Sequence, residues 1–176
     1  MNKLTLFWWL LAPLFWSLSG RGYAQFLDVE FSGELVHLSC KVSAGSVKKE
    51  IQLEALRMQS LNQGDVSEIT PFSIEIDHCQ QSDMGKLIKM TWHGTQLVDI
   101  DGHSYLITQG DSDVVLGLVD GEGKPIIWDE PIDVGHVSVV KDEQSLLFGV
   151  VARKPPFGYV NAGNFSGWVT FSVEYE

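Results

Sequence analysis

The chain is 176 residues long, 44% hydrophobic, and carries 23 acidic against 12 basic residues, a formal net charge of −11 at pH 7. So acidic a chain is a poor partner for nucleic acid or anionic membranes, which repel it at long range. Its length suits one domain that buries about two thirds of the extended chain's surface, with no second domain required.

Residues 1–24 open with Lys3, run apolar from Leu4 to Leu18 and end on small residues near Gly22 and Ala24. This is the build of a secretory signal peptide cleaved after Ala24, since the run is short for a membrane span and is interrupted by Pro13. Without it the chain keeps 10 basic and 23 acidic residues, a net charge of −13. Export bears on Cys40 and Cys79, because two cysteines in an exported chain predict a disulfide. Closing that loop stabilises the fold by about 4 kcal/mol at the upper end of the chain-entropy model. A metal pair is disfavoured, as neither cysteine belongs to a CxxC or has a histidine at ligand spacing.

From residue 26 onward, apolar alternation recurs in short runs separated by turn residues, and no helical period persists. FLDVEFSGELVHLSC alternates through Leu27, Val29, Phe31 and Leu35 up to Cys40, and PFSIEIDHC through Phe72, Ile74 and Ile76 up to Cys79. Two such strands side by side bring the sulfurs together. Between them, QLEALRMQSLNQG reads as a strand end plus a loop. LIKMTWHG places Ile88, Met90 and Trp92 on one face, and SYLITQ is a further short strand. DVVLGLVDGEGKPIIW is a hairpin candidate turning at Asp120–Gly123. VSVV and SLLFGVVAR follow, and Pro155, Pro156 and Gly158 mark a loop. The last 16 residues, NAGNFSGWVTFSVEYE, place Gly163, Phe165, Val169, Phe171, Val173 and Tyr175 on one face of a strand that ends with the chain. The class is all-β, and antiparallel strands at this spacing suggest an immunoglobulin-like β-sandwich, with a jelly roll or small barrel left open by periodicity alone.

No catalyst is assigned. His37, His78, His93, His103 and His136 are scattered without metal-ligand spacing, and there is no GxSxG. VDIDGH and GDSDVV lack the further acidic ligands of a calcium loop, and GLVDGEGKP lacks phosphate-loop spacing. Asn164 opens a formal glycosylation sequon inside the terminal strand. Neither metal nor cofactor is expected. Trp92 suits the core beside Met90 and Ile88, whereas Trp128 and Trp168 are candidates for stacking on sugars.

A terminal strand at a sheet edge leaves backbone groups for another chain to pair with, and residues 25–36 form a second alternating segment at the opposite end. With the cysteine pair closing FSIEIDHC, Gly33, VLGLVDGEGKPI in mid-chain, Gly163 and the penultimate Tyr175, the sequence resembles the pilin subunits of the chaperone/usher pathway, which build type 1 and P pili. The resemblance implies an incomplete immunoglobulin-like sandwich of six strands whose missing seventh is supplied in trans. A periplasmic pilus chaperone lends a strand, and at the outer-membrane usher the N-terminal extension of a neighbouring pilin replaces it. It further implies a signal peptide at 1–24, a donor-strand extension at 25–36 and a pilin domain at 37–176. Leu27, Val29 and Phe31 would insert into the neighbour's groove, with Gly33 at a close backbone approach. Gly163, Phe165, Val169, Phe171, Val173 and Tyr175 would form the groove strand, and the terminal carboxylate of Glu176 would be held by basic chaperone residues.

The expected function is that of a structural, non-enzymatic subunit, exported through the periplasm to the cell-surface fimbrium. Contact with any host-surface receptor would pass through the assembled fimbria. Only 15 residues lie between Ala24 and Cys40, and Trp168 interrupts the polar face of the terminal strand; both point to a minor component. The alternatives are an assembly terminator or base anchor of the same fold, and a self-contained periplasmic carbohydrate-binding β-sandwich.

Overall fold

Strands with one apolar face are stable only when that face is buried against another layer. The computed structural model of the chain describes residues 40–53 and 56–176, and these belong to a compact unit running from His37 to Glu176. The signal segment 1–24, the extension 25–36 and its residues Leu27, Val29, Phe31 and Gly33 lie outside the described residues.

In chain order the strands are β1 (Lys41–Val42), β2 (Thr70–Asp77), β3 (Leu87–Gly94), β4 (Leu97–Ile100), β5 (His103–Ile107), β6 (Gln109–Gly110), β7 (Val115–Asp120), β8 (Pro131–His136), β9 (Gln144–Arg153), β10 (Phe165–Ser166) and β11 (Val169–Tyr175). Two short helices, α1 (Ala44–Val47) and α2 (Met58–Gln63), lie between β1 and β2. The main sheet has the order β1-β2-β9-β7-β5-β4, the facing sheet β11-β3-β8, and β10 pairs with β6 in a two-stranded ribbon. Eleven strands stand among the described residues where the sequence reading expects six, and three of them (β1, β6 and β10) are only two residues long.

The alternating residues fill the space between the sheets. Ile74 and Ile76 of β2, Leu146, Phe148 and Val150 of β9, and Ile88, Met90 and Trp92 of β3 form one buried cluster. Trp92 is its hub: its ring lies 5.0 Å from Phe148 and 6.0 Å from Phe72, both edge-on. Trp128 also belongs to this cluster, and its Nε1 donates to the Ser104 carbonyl at 2.8 Å. It is a core residue, so its part in the sugar-stacking expectation falls away. The disulfide forms between Cys40, immediately before β1, and Cys79, just after β2, beside the Lys41–Asp77 pair of the ladder.

Two local expectations are corrected. The stretch read as a loop carries helix α2, which buries Leu61 and ends at Gly64, where φ is +102°. The strand expected at VSVV lies earlier, in β8. Val137 still exchanges bonds with Gly85 and Lys86, but the Gln144 side chain takes the Ser138 N–H and stops the ladder.

β1 leaves the sheet almost at once. After the Ser43 N–H reaches the Glu75 carbonyl at 2.8 Å, the chain turns through α1 and lies along the outer side of β2. There the Glu75 carboxylate accepts the hydroxyls of Ser46 and Ser73 and faces the Lys49 ammonium at 3.2 Å. Those partners, Ser46 first, hold the Glu75 carboxyl at about 2, against an ordinary value of 4.5.

Two outcomes are expected. Trp92→Ala costs about 3–5 kcal/mol, read as a fall in the urea midpoint, whereas Trp168→Ala, at an exposed position, stays within about 0.5 kcal/mol. A depressed carboxyl contributes stability that is complete above pH 4.5 and lost as pH falls through about 2. Glu75→Gln therefore lowers stability at neutral pH by about 1 kcal/mol, after allowance for partial exposure, and flattens the acid limb of a stability-versus-pH curve.

Candidate functional site

The terminal strand presents a hydrogen-bonding edge and an apolar face on the same four residues. β11 pairs antiparallel with β3 from Val169 opposite Gly94 to Tyr175 opposite Ile88. Glu176 extends the ladder, its N–H donating to the Leu87 carbonyl at 3.0 Å and its carbonyl accepting from Leu87 N–H at 2.7 Å. Bonded pairs alternate along an antiparallel ladder, so Glu174, Ser172 and Thr170 also face β3. The N–H and C=O groups of Val169, Phe171, Val173 and Tyr175 point the other way, and no described residue pairs with them.

The side chains of these four point inward, yet they are only half-buried. Their counterparts on β3 are Trp92, Met90 and Ile88, which are 2%, 0% and 0% exposed. Both rows belong to the same face of the same sheet. They differ in that, among the described residues, β3 is flanked by strands on both sides and β11 on one.

On the other side, Val42 and Phe72 of the main sheet and Ile51 and Leu53 of the irregular segment after α1 are likewise half-buried against the same core cluster. Trp92 connects the two sides, since its ring lies between Phe72 at 6.0 Å and Phe171 at 5.1 Å. At the far end Tyr175 approaches Asp83 and Asp77. Burial first, and then these two carboxylates, push its phenol up to about 12. Its hydroxyl is buried and has no hydrogen-bond partner among the described residues. Half-buried apolar side chains of β11 and of the β1–β2 side thus converge on the buried Trp92, and these residues are the lining of the groove that the sequence leads one to expect.

The structure brings together Val169, Phe171, Val173, Tyr175 and Glu176, but places Gly163 and Phe165 elsewhere. Phe165 lies in β10, opposite Gly110, and packs on a second cluster with Leu61, Val114, Ala152 and Val160. Gly110 has φ +129°, and a Cβ there would stand 2.3 Å from the Asn164 carbonyl oxygen, so the ribbon depends on this glycine. The continuous strand read from the sequence is therefore two elements, broken where the chain crosses from one sheet to the other at Gly167 and Trp168. A Cβ on Gly167 would meet Leu106 at 2.8 Å, which is how close that crossing runs. Glu176 pairs its side chain with Lys89 at 2.6 Å.

Sequence reasoning missed the opposite wall of the groove: Val42, Ile51, Leu53 and Phe72. A signal for it was present in Pro71, since proline at the start of an alternating run marks an edge strand. Among the described residues no group of three or more His, Cys, Asp or Glu side chains could hold a metal ion. His78 and His93 instead face Asp77 and Asp129, each at 2.6 Å.

The chain matches the family model described as Fimbrial protein over residues 29–176. It is 25% identical over 154 residues to the PRS fimbrial major pilin protein of Escherichia coli, covering 84% of this chain and 93% of that protein. To the fimbrial adapter PapK of Escherichia coli it is 26% identical over 117 residues, covering 66% of each. Among solved structures, the P pilus rod subunit PapA superposes with a TM-score of 0.63 at 22% identity, covering 79% of this chain and 100% of that one. This likeness shows the fold, the immunoglobulin-like β-sandwich of a pilin. With the family match extending from residue 29 through the whole sandwich to the last residue of its terminal strand, the chain belongs to the fimbrial protein family.

Proposed function

We propose that this chain is a structural, non-enzymatic subunit of a chaperone/usher fimbria, assembled by accepting a strand along β11 and donating one from residues 25–36. The observation that carries the reading is the edge of β11, where four residues combine backbone groups that no described residue pairs with and half-buried apolar side chains. An extended segment laid there meets both needs at once. Its backbone completes the ladder, each bond contributing about 0.5–1.5 kcal/mol net, and its alternate side chains cover the groove at about 25 cal/mol per Å². Strand addition of this kind is the established pairing mode of pilins with their chaperones and with one another.

Leu27, Val29 and Phe31 have the required period of two, so the extension of one subunit matches the groove of the next. A periplasmic chaperone fills the groove first, and the exchange at the outer-membrane usher links subunits into a surface fimbrium. The short segment before Cys40 supports a minor position in the fibre. Gly163 and Phe165 act indirectly, by anchoring the ribbon from which β11 departs.

Co-purification from the periplasm with the matching chaperone tests this reading. The full chain is expected to bring down chaperone in equal ratio, and a chain lacking Val169–Glu176 to lose that capture. Recovery of the full chain folded, abundant and alone contradicts it.

A further inference from the structure

The two edges that border the groove are finished in opposite ways. On β2, the Glu75 carbonyl takes the Ser43 N–H, so Glu75 presents its backbone groups to the β1 side. By the alternation of an antiparallel ladder, Ser73 and Pro71 present theirs to the same side. β1 ends at Val42, and among the described residues no further strand lies beside this stretch of β2.

Side chains stand in its place. The Glu75 N–H donates to Ser46 Oγ at 2.9 Å, and the Ser73 carbonyl accepts from Lys49 Nζ at 2.6 Å. Pro71 has no N–H to offer. The Glu75 carboxylate holds both substitutes in position, accepting the Ser46 hydroxyl and facing Lys49 at 3.2 Å. Ser46 is 1% exposed, so its bonds exclude water. The four outward-facing residues of β11 have no comparable cover among the described residues: no proline, no lysine on a carbonyl and no hydroxyl on an amide.

We propose that Ser46 and Lys49, positioned by Glu75, together with Pro71 determine where an incoming strand can pair, refusing it at β2 and leaving β11 as the single acceptor. This rests on the strand-acceptor reading above. A lysine and a proline on a sheet edge are general devices against edge-to-edge association. Here they lie on only one wall of a groove whose other wall is left open. The partner they refuse is an extended, alternating apolar segment, either the extension of another subunit or the β2 edge of a second copy.

The test uses the mature chain released from its chaperone, with a synthetic peptide of residues 25–36 as the probe. Peptides per chain and oligomeric state are read by native mass spectrometry, and folding by near-ultraviolet circular dichroism. The wild type and the conservative Lys49→Arg variant are expected to take one peptide and stay monomeric. The Ser46→Ala/Lys49→Met variant is expected to take a second peptide or to dimerise through the freed edge. If the double variant fails to fold, Lys49→Met alone decides, since it frees only the Ser73 carbonyl. A folded variant that still takes one peptide and remains monomeric overturns the inference and leaves the strand-acceptor reading intact. A wild type that takes no peptide overturns both.

Discussion

A strand at the edge of a sheet directs every second pair of backbone groups away from its neighbour, and those groups need partners as much as the inward ones do. In β11 this requirement falls on Val169, Phe171, Val173 and Tyr175. The same residues carry the side chains that should close the core beside Trp92, Met90 and Ile88. Among the described residues, edge and face are therefore incomplete together, and one added strand satisfies both. Either defect alone has a local remedy, such as a polar side chain over an amide or a larger residue in the core. Their coincidence on four alternate residues has none within a single strand.

The rest of the sandwich supplies rigidity to that edge. The aromatic cluster of Trp92, Phe72, Phe148 and Phe171 fixes the groove floor across both sheets, so the half-buried side chains of β11 rest on a packed surface. The disulfide ties the start of β1 to the end of β2, and past Ser43 the chain leaves the sheet. From there the chain is held outside β2 by Ser46, Lys49 and Glu75, which meet the hydrogen-bonding needs of an edge without adding a strand. Among the described residues one edge is thus satisfied internally and the other is not, an asymmetry that gives the groove a direction of use.

Much of this was legible in the sequence because strand alternation reports which residues face inward. The clean period of two in PFSIEIDHC, LIKMTWHG and SLLFGVVAR marks β2, β3 and β9, and the strand signal ending at Tyr175 marks β11. What alternation cannot report is where a strand changes sheet. Gly163 and Phe165 share the parity of Val169, yet they belong to a ribbon with β6, because the break at Gly167 is a tertiary crossing with no local polarity change. Helix α2 was hidden for a related reason: its six residues are too few to display a helical period, and packing of Leu61 holds it in place. The opposite wall of the groove escaped because Ile51 and Leu53 lie in a segment without regular structure, where pattern carries little weight. The guard on β2 depends on residues 24–29 positions apart, Ser46 with Glu75 and Lys49 with Ser73, and no spacing rule joins them.

Hydrogen exchange of individual amides in the chain released from its chaperone, with and without a peptide of residues 25–36, tests the central claim most directly. Thr170, Ser172 and Glu174 already bond to β3, so the account predicts that the peptide slows exchange at Val169, Phe171, Val173 and Tyr175 far more than at those three. Amides at these four positions that are equally protected without the peptide, or unchanged by it, would contradict the account, because the edge of β11 would then be satisfied from within its own chain.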